Sequence, residues 1–164
     1  MTTRKVTGPP QYAVKTEVPI ERSKGEIEKL LQRHGAVSFA YGYDANREIL
    51  SFEMEDRRFR FEFPPLLEES FAYHDSGRKR SITDRQLALE QAKRTRWREL
   101  HLGIKAKLVM VSAGITTMEE EFFAHVVLQD GRTMHQWSKP YLKQTYLSAH
   151  MPPLLPGIEK GDES

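Results

Sequence analysis

The chain contains no cysteine. Disulfide staples, thiolate metal sites and a cysteine nucleophile are thereby excluded. No apolar run approaches the ~18 residues of a membrane span, and the opening Met1-Thr2-Thr3-Arg4-Lys5 lacks the apolar centre of a secretory signal. The cytosol is therefore the expected compartment, with no membrane partner. Metalloprotease H-E-x-x-H, a Walker loop, G-x-S-x-G and G-x-G-x-x-G are all missing, as is any internal repeat. These absences point away from an enzyme and imply neither cofactor nor metal. Glu121 and His125 do stand at i, i+4, but one carboxylate and one imidazole do not make a metal site.

What is present describes one domain. At 164 residues, 38% apolar and 29% charged, the chain has the composition of a soluble globular protein able to bury ~70% of its unfolded surface. Residues 1–11, with Gly8-Pro9-Pro10, read as a flexible arm, 12–156 as the domain, and 157–164 as a frayed tail.

The organising stretch is Asp84 to Ser112, expected as one long helix. At 100° per residue, Leu89, Trp97, Leu100, Ile104, Leu108 and Val111 make one apolar stripe, with Ala88, Ala92, Leu102, Ala106, Val109 and Met110 nearly opposite. Such a helix is normally sandwiched between layers. Ser81 and Asp84 suit a capping-box-like start, and Gly114 a left-handed stop. Gly103, in its middle, implies either a close neighbour or a bend.

Ahead of this helix, Tyr12, Val14, Thr16 and Val18 alternate as in a short edge strand stopped by Pro19. Ser23-Lys24-Gly25-Glu26 matches S-x-x-E and predicts a helix over 24–34 ending at Gly35, with His34 capping or at the core edge. Three strands are then expected. Val37, Phe39, Tyr41 and Tyr43 share one face of the first, Asp44 to Arg47 make a turn, and 49–54 and 58–63 follow around Glu55-Asp56-Arg57. Residues 66–80 read as a mobile loop. After the long helix, Thr117 caps a short helix carrying Phe122, Phe123, Val126 and Val127, and Thr133 with Gln136 starts a last one that Pro140 kinks or delays. The fold class is α+β: a three-stranded antiparallel sheet packed on the long central helix, with an N-terminal helix and C-terminal helices.

Charge supplies the functional hint. Residues 78–107 hold ten Lys/Arg against three Asp/Glu, a local +7 in a chain of net +2, which leaves −5 for the rest. Arg94, Arg98, His101 and Lys105 follow at i, i+4, i+7 and i+11 and stack along one helix edge, and Arg78, Lys79 and Arg80 in the preceding loop extend the row. Segregation of this kind is the footprint of a polyanion-binding surface, or of a solvated edge pairing with an acidic body.

Thr16-Glu17-Val18-Pro19, Ser23 to Gly35, Arg96-Trp97-Arg98, Ile104-Lys105-Ala106-Lys107-Leu108, Gly114-Ile115, Asp130-Gly131-Arg132-Thr133 and Met151-Pro152-Pro153-Leu154-Leu155-Pro156 together give a chain that resembles a family of small bacteriophage and prophage proteins of unassigned function. The resemblance implies a context, a phage-type protein acting in a bacterial host cytoplasm on nucleic acid or on a host protein. Two expectations follow. One is a non-enzymatic binder of DNA or RNA contacting phosphates through Arg78, Lys79, Arg80, Arg94, Arg98, His101 and Lys105. The other is a protein-binding module that inhibits or redirects a host protein, with Met151, Leu154 and Leu155 as a docking strip.

Overall fold

The computed structural model describes Ala13 and residues 15–148. Its elements run α1 (Ile20–Arg33), β1 (Ser38–Tyr43), β2 (Glu48–Met54), β3 (Arg57–Phe63), a 3-10 turn (Glu68–Phe71), α2 (Ile82–Ser112), α3 (Met118–Phe122), a second 3-10 turn (Phe123–His125) and α4 (Met134–Ser148). The fold is α+β, with an antiparallel meander of order β1-β2-β3 and the long helix as expected. Alternation sets the core: Leu50, Phe52 and Met54 of β2 and Phe59 of β3 are buried with Ile27 and Leu31 of α1, Trp97, Ile104 and Leu108 of α2, and Met118 and Phe122 of α3. Phe122 is the wedge, meeting Phe52, Phe59 and Phe61 edge-on at centroid distances of 5.8, 5.7 and 6.2 Å.

Helix α1 begins a turn before the S-x-x-E signal. Pro19 occupies the cap position, and the Ser23 side chain is buried inside the first turn without a hydrogen bond. Starting early lets Ile20 pack against the core, which outweighs the cap that Ser23 offers. At the other end His34 joins α1 to α2: Nδ1–H donates to the Leu30 carbonyl at 2.8 Å, and Nε2 accepts from the Ser112 hydroxyl at 3.1 Å. Residues 15–18 form no strand. With Ala13 they run beside α2, where Thr95 Oγ1 donates to Ala13 O (3.2 Å) and Gln91 to Thr16 O (3.0 Å).

Ser81 caps α2, accepting from Asp84 N at 3.0 Å. Only one side of the helix is fully packed: Trp97, His101, Ile104 and Leu108 are buried, whereas Ala106, Val109 and Met110 of the second stripe face outward. The expected sandwich is therefore incomplete over the C-terminal half of the helix. Gly103 is exposed there, and a Cβ added to it would meet nothing within 4 Å, so no close neighbour explains it.

The 66–80 segment is pinned rather than loose. Tyr73 bridges Lys79, His74 N donates to Arg78 O (2.8 Å), Gly77 takes φ +81°, and the Arg80 guanidinium donates to the carbonyls of Phe71 and Tyr73. Thr117 and Glu120 form a reciprocal capping box on α3, but that helix stops at Phe122. Val126 and Val127 are extended instead, Val126 bridging Phe59 and Val127 N donating to Arg58 O (2.8 Å), which covers the outer edge of β3. Thr133 and Gln136 cap α4 reciprocally, and Pro140 lies inside that helix.

Candidate functional site

The predicted basic row is broken up by the fold: Arg98 and His101 face an acid of α1, Arg94 and Arg80 bond to neutral groups, and the remaining cations are scattered. Arg98 donates to Glu26 Oε2 at 2.5 Å across the α1–α2 interface, and His101 is buried beside the same carboxylate, with Nε2 3.8 Å from Oε2 and Nδ1 unpartnered. Hydrogen bonds from Arg22 and then Arg98 hold the Glu26 carboxyl below its ordinary pKa. Burial, helped by the Arg98 charge, lowers that of His101 against the opposing pull of Glu26. Arg94 donates to Gln91 Oε1 (2.6 Å). Elsewhere in the basic segment, Arg85 pairs with Glu68, Lys93 with Glu90, Arg96 with Glu48 and Lys107 with Glu121. Half of its ten cations are thus neutralised, mostly by acids distant in sequence.

Arg78, Lys79 and Lys105 remain exposed and without an ion-pair partner among the described residues. They do not form one stripe. Arg78 and Lys79 precede the first turn of α2, and Lys105 lies roughly 35 Å further along its axis at ~1.5 Å per residue. Met151, Leu154 and Leu155 fall outside the described residues. Glu121 and His125 do not converge either: Glu121 pairs with Lys107, while His125 stacks on Phe61 with centroids 3.8 Å apart, and its burial lowers its pKa from the ordinary value. Among the described residues no cluster of three or more His, Asp or Glu could hold a metal, and no helix is long and apolar enough to cross a membrane.

A different surface stands out once the strand order is known. β1 is a sheet edge, and its sequence, Ser38-Phe39-Ala40-Tyr41-Gly42-Tyr43, carries neither charge nor proline. Edges of monomeric sheets are ordinarily blunted by such residues or by a cover. The pairing register shows which backbone groups are free. Asp44 N donates to Arg47 O (2.9 Å), so hydrogen-bonded pairs recur at Gly42–Ile49 and Ala40–Ser51. The N–H and C=O groups of Phe39, Tyr41 and Tyr43 therefore point away from β2, and no described residue bonds to them. Exposure increases towards the end of the strand, from half-buried Phe39 to 48% for Tyr41 and 84% for Tyr43.

Beside this edge, on the aromatic face of β1, lies a cleft of ≈ 330 Å³ between α1, the end of β1, Pro65-Leu66 and α2. Tyr41 and Trp97 form two of its walls, with ring planes at 75° and centroids 6.2 Å apart, and Phe63 backs the indole edge-on at 6.0 Å. Lys24 enters between them, its Nζ 3.9 Å from the Tyr41 centroid and 4.9 Å from that of Trp97. Glu21, Asp44 and Glu48 also line the cleft, with Lys93 as the other cation.

The sequence concealed this site, because alternation placed Tyr41 and Tyr43 on the core face and Lys24 within a capping signal. The available signal was the position of β1: an uncharged first strand of a three-stranded meander is an edge. No family model, curated protein or solved structure matches the chain, so the likeness to phage and prophage proteins rests on the sequence motifs alone.

Proposed function

We propose that this protein is a non-enzymatic protein-binding module that takes an extended segment of a partner along the free edge of β1. The observation carrying this reading is the set of outward N–H and C=O groups of Phe39, Tyr41 and Tyr43 on an uncharged edge. Main-chain pairing on such an edge supplies affinity, and pockets for alternate side chains supply selectivity. The adjoining cleft is placed to act as such a pocket. The resemblance to phage proteins makes a bacterial host protein the expected partner, and inhibition or redirection of that protein the expected consequence.

Selection of unstructured peptides from a displayed library, followed by amide mapping, tests the proposal. Bound peptides should protect the Phe39, Tyr41 and Tyr43 amides, and Tyr43→Pro should abolish binding. That change removes an outward N–H without touching the β1–β2 ladder, because proline is tolerated on an edge. Binding that maps elsewhere, or a concentration-dependent dimer that Tyr43→Pro dissolves, contradicts it; the dimer would identify a second copy of the chain as the occupant.

One observation favours nucleic acid as a second reading, namely that Arg78, Lys79 and Lys105 are exposed and have no ion-pair partner among the described residues. Three phosphate contacts at most would give a log K slope against log salt of about −2 to −3. Titrating DNA and RNA with wild type and with Arg78→Ser/Lys79→Ser decides this; binding unaffected by the double change, or none at low salt, removes the reading.

A further inference from the structure

Resting on the reading of β1 as a docking edge, we infer that the cleft beside it receives the cationic end of a lysine or arginine side chain of the bound segment, and that Lys24 is an internal placeholder for that group.

Three observations converge on a cation. First, the cleft already holds one: the Lys24 side chain is only 15% exposed and its ammonium lies over Tyr41 and close to Trp97, with Glu21 Oε1 at 3.3 Å. Rings set nearly perpendicular present two negative faces to one point, the arrangement that recognises ammonium and guanidinium groups. A nucleobase would need a flat, open ring face instead. Secondly, three carboxylates line the cleft; Asp44 and Glu48 are shared with Arg47 and Arg96 and Lys93 is engaged with Glu90 at 3.1 Å, which leaves Glu21, the partner of Lys24, to receive an incoming cation. An incoming phosphate or carboxylate would instead lie beside Glu21, with Lys93 already held by Glu90. Thirdly, side chains of a strand added along β1 alternate between faces, so those on the aromatic face would project beside Tyr41 and Tyr43 and into the cleft.

Lys24 can leave. Its partner Glu21 is exposed, one turn away on the same helix, and the two can pair in solvent once the side chain swings out. A partner's cation then replaces like with like, and its apparent affinity is lowered by the fraction of time that Lys24 fills the cleft. Removing the Lys24 ammonium should therefore strengthen binding of a cation, the opposite of what losing a contact residue does.

The test titrates the full chain with N-acetyl-lysine methylamide, with its neutral norleucine analogue and with sodium acetate, at matched ionic strength, following the Trp97 indole and Tyr41 ring resonances. The lysine probe should perturb both rings, the other two should not, and Lys24→Met should tighten the lysine probe by a few-fold to about tenfold while leaving the thermal midpoint in place. Tyr41→Leu, at a half-exposed position, should abolish the effect. Equal binding of the norleucine analogue, acetate binding that requires Lys24, or no change in Lys24→Met overturns the inference. Failure here is distinguishable from failure of the docking reading: library peptides that protect the β1 amides but show no preference for Lys or Arg refute the cation site alone.

Discussion

Trp97→Ala is the perturbation that examines fold and site together. Trp97 is 5% exposed and lies where α2 meets the ends of β1 and β3, edge-on to Tyr41 and Phe63. Burying about 200 Å² of such a ring at ~25 cal/mol per Å² gives an upper value of about 5 kcal/mol. Truncations of buried aromatics fall at ~3–5 kcal/mol when a cavity remains. The void here would open into the cleft, where water can enter and Lys24 can collapse, so the lower part of that range is expected, about 3–4 kcal/mol. Phe122, fully enclosed by the sheet phenylalanines, has no such relief, and Phe122→Ala should cost at least as much. Urea titration followed by far-ultraviolet circular dichroism measures both, with the m-value checking that the unfolded reference is unchanged. A loss below ~1 kcal/mol for Trp97→Ala would remove it from the core and dismantle the cleft geometry with it.

Three further outcomes follow from named positions. Gly103→Ala should raise stability by about 0.5–1 kcal/mol, because it fills a helix-interior glycine whose Cβ has open space; a loss in the same titration would mean that an approach or bend there matters. Glu55 and Asp56, the two loop residues between β2 and β3, take φ +51° and +55°, so replacement by Asn-Gly should stabilise by roughly 1 kcal/mol, and a fall in the denaturation midpoint would contradict the turn. His101 and His125 both have folded-state pKa values lowered by burial. Their stabilising contribution is therefore full above the ordinary value near 6.5 and falls as pH drops through it towards the folded values. Urea midpoints should decline from about pH 7 to pH 5, less so in His101→Gln; a flat profile would refute the burial of both rings.

Periodicity exposed the elements whose apolar residues are local and continuous. The meander, α2 and the caps at Ser81, Thr117 and Thr133 were legible because side-chain spacing and cap chemistry act within four residues. Choices settled at a distance were not. Whether α1 begins at Ser23 or a turn earlier depends on what Ile20 packs against, and whether the outer stripe of α2 is covered depends on elements far along the chain. The basic segment shows the same limit: its local +7 is read from consecutive residues, yet Glu26, Glu48, Glu68 and Glu121, which neutralise four of its cations, are brought in by the fold. The edge of β1 became visible only when the strand order showed that β3 is covered by Val126 and Val127 and that no described residue pairs with the outer side of β1.

Residue-resolved amide hydrogen exchange along β1 of the free protein tests the central claim most directly, since it needs no partner. The open edge predicts an alternating pattern, with Ala40 and Gly42 protected by their bonds to β2 and Phe39, Tyr41 and Tyr43 exchanging rapidly. Uniform protection across residues 39–43 would show that the edge is already occupied, by another part of the chain or by a second copy, and would contradict the account.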